Sequence, residues 1–382
     1  MRVLILDQFS DMGGAQHCLV ELVPGLQRMG CEVIAGLPGE GPLADRLRKL
    51  NVPVSFLPIG EFSSGHKTVR DVIRFALGRS ELRAAVVREL ELSKPDVVYV
   101  NGPRLLPALG VKTPVVFHAH SYLSRTYTVQ LAGRALRRLN ADVIGSSQFV
   151  LKPFTSFVPP HKMRVIYNGT SDLGFQEPQG PVKTVSLVGR IAPEKGQLEF
   201  VRAARMLHET GLRFRLHGAP MFADPSYLDR VRAEAPESVE FCGWSNDVAG
   251  ILHETDLLAV PSPSYESTPR VILEAFSAGT PVVAFATGGI PELFRDGEEG
   301  VSVASRTPEA LAEVVRAIVS DPEALSRMAV AARKRWETAY RLERFQTEVA
   351  GVIADAALRP RSTRNSRAAK KTNAAATSNT AP

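Results

Sequence analysis

Cysteine is scarce in these 382 residues: three, Cys18, Cys31 and Cys242, scattered along the chain. An odd, scattered set suits neither a disulfide framework nor zinc spacing, and favours a reducing cytoplasm. Long apolar runs are missing too. No stretch approaches the roughly 18–20 consecutive apolar residues of a membrane span. The run Val3–Leu6, closed by Asp7, is too short for the core of a secretory signal. No Asp-x-Asp occurs, and no His, Asp and Glu cluster has metal-ligand spacing. Gly-x-Gly-x-x-Gly is also missing, which weighs against a nicotinamide dehydrogenase. Acid is absent after Asp355, where six Lys and Arg follow.

What is present is enough for two domains of ordinary size, with 44% hydrophobic residues to fill their cores. The net charge of +6 divides unevenly. Residues 1–170 hold 21 Lys and Arg against 13 Asp and Glu, and residues 171–358 hold 19 against 27. The remaining excess lies in the tail, residues 359–382, which is poor in apolar residues and reads as a disordered basic segment. No nucleic-acid recognition fold accompanies it, so nucleic acid is not an expected partner.

Both halves repeat one pattern. The first opens with the strand-like RVLILD, a glycine loop and a helix from Gln16 to about Met29. EVIAGL, PDVVYVN, PVVFHAH and DVIGSS follow as short apolar runs ending in small or polar residues. The second half restarts with KTVSLVG and continues through RFRLHG, DLLAVPS, PVVAFAT and GVSVA. Such runs, separated by helical lengths, predict parallel sheets covered on both faces. The Gly- and Pro-rich stretch from Gly169 to Val182 reads as a linker. Two doubly wound α/β domains facing a cleft are the expected architecture, with ligands bound beyond the carboxyl ends of the strands.

Three loops stand at such ends. Gly13 and Gly14 precede the first helix and would let backbone amides approach an anion. GRIAPEKG carries Arg190 and Lys195, two cations placed to neutralise a pyrophosphate. The third is SPSYESTPRVILEAFSAGTPVVA, Ser262 to Ala284, in which Ser267 or Thr268 suits an N-cap and Pro269 the first helical position. Glu274 interrupts an otherwise apolar helix, and Glu266 stands eight residues before it. A buried lone carboxylate is costly unless donors meet it, and an ion pair with an arginine is one way to meet it. Beside phosphate, carboxylates accept hydrogen bonds from hydroxyls. Eight residues of helix rise roughly 12 Å, about the span from a ribose across a pyrophosphate to a sugar. Glu274 on ribose hydroxyls and Glu266 on sugar hydroxyls is therefore a consistent geometry for a nucleotide sugar.

VGRIAPEKG, PSYESTPRVILEAFSAGTPVVA and GGIPEL, in that order and spacing, resemble the retaining glycosyltransferases of family 4. The likeness covers about residues 1–350. It implies the GT-B fold: an acceptor-side Rossmann-like domain over 1–170 and a nucleotide-sugar-binding one over 171–358, the last helix packing back on the first domain. It implies that Arg190 and Lys195 bind the donor diphosphate, that Glu274 binds the ribose and that Glu266 contacts the donor sugar near the reacting centre. Ser267 and Thr268 would supply amides and hydroxyls, and Gly13 and Gly14 would lie by the phosphates across the cleft. A histidine at a strand end of the first domain would point into the site; His118 is the first choice and His120 the second. The chain departs from the family where many relatives carry Glu-Gly-Phe, reading ESTPR instead, and it has Gln16 where many carry Glu. These departures bear on substrate identity.

The expected chemistry is transfer of a glycosyl group to an acceptor hydroxyl with retention. Arg190 and Lys195 take the phosphate charge, so no cofactor or divalent metal is expected. A sugar-nucleotide epimerase on the same fold and a non-catalytic sugar-nucleotide-binding scaffold are the competing readings. The expected acceptor is a lipid-linked or other glycan at the cytoplasmic membrane face. HKTVRDVIRFALGRSELRAAVVR, His66 to Arg88, holds six Lys and Arg against two acids, with Lys67, Arg70 and Arg74 on one helical face. GRALRRLN, Gly133 to Asn140, extends that basic patch. Such positions gain roughly 1 kcal/mol each near anionic headgroups.

Overall fold

The structure is a computed structural model; it describes residues 1–58, 69–110, 113–177, 180–220 and 225–359. Among these, the strands form two parallel sheets. The first holds β1 (Arg2–Leu6), β2 (Glu32–Leu37), β3 (Val54–Phe56), β4 (Val97–Val100), β5 (Val115–Ala119), β6 (Asp142–Gly145) and β7 (Met163–Val165), in the order β3-β2-β1-β4-β5-β6-β7. The second holds β8 (Thr184–Val188), β9 (Arg213–His217), β10 (Val239–Gly243), β11 (Leu257–Val260), β12 (Val282–Phe285) and β13 (Gly300–Val303), in the order β10-β9-β8-β11-β12-β13. Strand order reverses at β1/β4 in one sheet and at β8/β11 in the other, and such switch points open the crevices where ligands bind.

Central strands such as β4 and β12 are buried along their whole length, as expected of strands covered on both faces. β3, β7 and β10 were not legible from sequence. All three are sheet edges, where fewer positions are buried and the apolar run is interrupted. Each sheet has a core on both faces. On one face of the first, Val3, Ile5, Val97, Tyr99 and Val116 pack with Leu19, Leu22 and Leu26 of the first helix, Gly14–Arg28. Phe345, Val349 and Ile353 of the last helix, Leu342–Ala357, join that core. The last helix thus crosses from the second half of the chain onto the first sheet. Its Gln346 presses on Gly25 so closely that a Cβ there would lie 2.6 Å from the Gln346 Cβ. Gln346 Nε2 also donates to the Glu21 carbonyl at 2.6 Å.

Among the described residues no helix is long and apolar enough to cross a membrane. Lys67 and the basic tail from residue 360 lie outside the described residues, as do the side chains of Arg70 and Arg74.

Candidate active site

β8 and β11 are neighbours, so the loops that leave them lie side by side. Gly196 adopts φ +78°, and a Cβ there would fall 1.8 Å from the Pro261 carbonyl oxygen. Only glycine permits that approach. The contact brings the end of GRIAPEKG against the start of the Glu266 loop. Lys195 Nζ donates to Glu266 Oε1 at 2.5 Å, and Ser262 Oγ donates to the same oxygen at 3.2 Å. Arg190 pairs with Glu194 in the same turn. Behind Glu266 stands the glycine pair after β12. The Gly289 amide donates to the Glu266 carbonyl at 2.8 Å, and a Cβ on Gly289 would lie 2.0 Å from the Ser267 carbonyl oxygen. The GGIPEL motif therefore serves as a backing plate for the Glu266 loop.

The helix that carries Glu274 spans Arg270–Ala278, and Pro269 takes the N-cap position. The expectation of Ser267 or Thr268 there is corrected. The chain is still non-helical at Thr268, whose hydroxyl donates to the Ser146 carbonyl of the first domain at 2.8 Å. That hydroxyl proton is engaged in joining the halves, so only its backbone amide remains for a ligand. The helical-rise argument shrinks with it: only the last four residues between Glu266 and Glu274 are helical.

Glu274 is met by an arginine. Arg270 Nη2 lies 3.3 Å from its carboxylate, one turn earlier on the helix. The same guanidinium forms a bidentate pair with Glu21 of the first helix, at 2.7 and 2.8 Å. Burial raises the Glu274 carboxyl above its ordinary range, Arg270 draws it down, and Glu21 adds a further upward push. Arg270 thus bridges the two halves, with a carboxylate from each.

Gly13 takes the N-cap of the first helix and Gly14 its first residue. A Cβ on Gly14 would meet no heavy atom within 4 Å, so open space lies before it. Glu21 is seven residues on, roughly 10 Å along the axis, which sets the glycine loop across from the Glu274 helix. Beneath the loop lies Asp7, fully buried just beyond β1. It accepts from Asn101 Nδ2 at 2.5 Å, from Gln16 Nε2 at 3.1 Å and from the Phe9 amide at 2.9 Å. Burial lifts its carboxyl to about 6 against these hydrogen bonds.

The structure sets the two candidate histidines in different surroundings. His118, on β5, is 1% exposed; its Nδ1 meets Tyr99 Oη at 2.5 Å, and Phe345 of the last helix lies alongside. It belongs to the packed layer under the helices. His120 stands on the same face, two residues on and past the strand end, where it is half-buried. Its Nε2 meets Asn101 Oδ1 at 2.9 Å, and its ring stacks on His118 with centroids 3.9 Å apart. Burial holds both rings below the usual imidazole range.

Sequence reasoning missed the groups that tie the halves. The Glu292 carboxylate accepts from the Gln148 and Phe149 amides at 2.7 and 2.8 Å and from Tyr167 Oη at 3.3 Å. Tyr122 stacks on Phe149 at 4.3 Å, and Tyr265, beside Glu266, leans on that pair at 5.4 Å from Phe149. It also missed Asp7, Asn101 and the Arg270–Glu21 pair. A polar residue closing an apolar strand, as in VYVN, is the signal that marks Asn101.

Comparison with known proteins bears on the fold and the family. A model described as Glycosyltransferase Family 4 matches residues 12–172, and one described as Glycosyl transferases group 1 matches residues 182–321. A glycogen synthase of Mycobacterium tuberculosis is 27% identical over 69% of this chain and 72% of its own length. A D-inositol 3-phosphate glycosyltransferase of Mycolicibacterium gilvum is 34% identical, but over only 45% of this chain and 40% of its own. Among solved structures, HepE of Anabaena in complex with UDP superposes with a TM-score of 0.80, at 24% identity over 93% of this chain and 100% of that one. HepE has also been solved with UDP-glucose. The chain belongs to the GT-B glycosyltransferases, with a family 4 domain in its first half and a group 1 domain in its second.

Proposed function

We propose that this glycosyltransferase moves a hexosyl group from a nucleoside diphosphate sugar to an acceptor hydroxyl with retention of configuration. The observation that carries the reading is the Lys195–Glu266 contact at the β8/β11 switch point, set beside the Glu274 helix and facing the glycine loop. Arg190 and Lys195 hold the diphosphate, and the Gly13–Gly14 amides at the start of a fifteen-residue helix add positive potential. Glu274 takes the ribose hydroxyls. Glu266, with the Ser267 and Thr268 amides, takes the sugar. His120 replaces His118 as the histidine of the reacting face. The acceptor oxygen attacks on the face the diphosphate leaves. Its bond to the anomeric carbon forms as the bond from that carbon to the phosphate oxygen breaks, and the hydroxyl proton passes to that departing oxygen. The two cations stabilise the charge that develops there, so the reaction runs without a divalent metal. HepE, solved with UDP and UDP-glucose, makes a uridine diphosphate hexose the first donor to try.

The test is a screen of nucleotide sugars with chelator present, followed by proton NMR of the first product. The expected result is turnover and a retained anomeric centre. An absolute metal requirement would remove the assigned role of the cations, and inversion would remove the mechanism.

We further propose a lipid-linked glycan acceptor at an anionic membrane surface. On the helix Thr126–Leu139, Tyr127, Leu131, Arg134 and Arg138 follow at steps of four, three and four, which is one face. Tyr127 is 53% and Leu131 40% exposed. Aromatic and cationic side chains on one exposed face suit a headgroup layer. Co-sedimentation with vesicles should need anionic lipid, fall with salt and weaken in Arg134→Glu. Equal binding to neutral vesicles, or none to either, would point to a soluble acceptor.

A further inference from the structure

Strand alternation repeats one contact at the carboxyl edge of the first sheet. Tyr99 and Asn101 share a face of the β4 run, and His118 and His120 share that face of the β5 run. Tyr99 meets His118, and two residues on Asn101 meets His120. The first contact stays inside the packed layer. The second continues through Asn101 to Asp7 and from there to Gln16 and the Phe9 amide.

This row of contacts has one polarity. An ionised carboxylate only accepts hydrogen bonds. Asp7 collects donors from three directions, so Asn101 turns its NH2 toward it. The amide is planar, and its oxygen is left to face His120 Nε2. An oxygen there requires an N–H. The neutral imidazole therefore carries its proton on Nε2 and its lone pair on Nδ1.

We propose that Asp7 and Asn101 are positioning residues that lock His120 as the Nε2–H tautomer, leaving Nδ1 as the ring's acceptor for a substrate hydroxyl. The proposal rests on the reading of His120 as the histidine of the reacting face. It separates His120 from His118: both have a ring partner, but only His120 is tied to a carboxylate through an amide. It also gives Gln16 a place, since its Nε2 spans both Asp7 oxygens and steadies the carboxylate that Asn101 donates to.

The experiment is long-range proton–nitrogen correlation NMR on the full chain with nitrogen-15 histidine, His120 being assigned through His120→Gln. The expected wild-type spectrum at neutral pH shows His120 in the Nε2–H form alone. Asn101→Leu and Asp7→Asn should both move its two nitrogen shifts toward the averaged values of exchanging tautomers. Turnover should fall roughly ten- to hundredfold, by analogy with the loss when the partner orienting a metal-bound imidazole is removed, with donor KM little changed. Asp7→Asn keeps the shape of the site and carries the test should Asn101→Leu fail to fold. A wild-type ring protonated on Nδ1, or a tautomer unchanged in the folded variants, would overturn the proposal. The spectrum needs no substrate, so it decides the lock independently of transfer. A shifted tautomer with unchanged turnover would keep the lock and remove His120 from the reacting face.

Discussion

The carboxyl edges of the two sheets face the same cleft with different chemistry. The second presents charges from two loops and a helix, already paired: Lys195 with Glu266, Arg190 with Glu194, Glu274 with Arg270. The first presents a buried carboxylate, two amides and two imidazoles, bonded into one network from three strands and a helix. The difference is one of exchangeability. Ion pairs that keep solvent contact, such as Arg190–Glu194, contribute little net stability, and a ligand's own charges can replace the partners of the more buried Lys195–Glu266 pair, so the second edge can exchange its partners. Buried hydrogen bonds cannot be left unmade without a penalty, so the first edge keeps one geometry. The second is built to accommodate a charged donor, and the first to hold a fixed template against it.

Arg270 is the exception on the second edge and gives the largest expected effect. It is largely buried and serves a carboxylate from each half. Arg270→Ala should cost about 3 kcal/mol, the low end for stranding a buried charge, because two carboxylates are left facing each other. Denaturant midpoints measure it. Arg270→Leu with Glu21→Leu should recover part of the loss, since it leaves one stranded carboxylate, Glu274, in place of two. A loss under 1 kcal/mol in Arg270→Ala would place this pair with the exchangeable ones.

Asp7 sharpens the same contrast through pH. Its folded carboxyl is raised to about 6 from an ordinary 3.8. A raised acid binds its proton more tightly when folded, so its contribution is fullest below the unfolded value and is lost as pH climbs through the folded one. Two pKa units correspond to roughly 2.7 kcal/mol as an upper figure. The stability difference between Asp7→Asn and wild type should therefore shift in the variant's favour from about pH 4 to about pH 6. A flat difference across that window would mean the edge is less buried than its geometry states.

Lys195→Ala is the matching test on the other edge. It should weaken nucleoside diphosphate binding by about 1.5–3 kcal/mol, read by calorimetry, and cost less stability than Arg270→Ala, because one carboxylate rather than two loses its partner and Ser262 still donates to it. The reverse pattern, lost stability with affinity intact, would break the comparison.

This difference also explains what the sequence revealed. The central strands were legible because burial on both faces writes them as continuous apolar runs, whereas β3, β7 and β10 are edges and carry no such run. Arg190, Lys195, Glu266 and Glu274 could be proposed from sequence because each loop is contiguous, so spacing alone brings them together. Asp7, Asn101 and His120 come one from each strand, and no spacing announces them; only the strand order β1-β4-β5 puts them in a row. That is also why the sequence alone does not separate His118 from His120. Both histidines sit in VVFHAH, and only the end of β5 at Ala119 tells which has left the packed layer. Ser267 and Thr268 missed the cap because the chain uses that stretch to reach Ser146 before it turns helical.

The smallest expected effect concerns how the two edges are held at their working distance. Glu292 belongs to the second half, follows the glycine pair behind Glu266, and accepts two backbone amides and a tyrosine hydroxyl from residues 148–167. Glu292→Gln keeps the shape but loses one acceptor and the charge. The two amides it faced need two oxygens, and a glutamine offers one. The expected cost is about 1 kcal/mol. Nothing on either edge changes, so nucleoside diphosphate affinity should stay as it is. What should change is the spread of separations between the halves, because the contact fixes one against the other beside the loop that carries Glu266. Small-angle scattering without ligand should show a broader distance distribution for the variant, and addition of donor should narrow it again as closure over the ligand replaces the lost contact. An unaltered distribution would mean that Arg270 and the last helix alone set the separation, and that Glu292 only caps the short helix it touches.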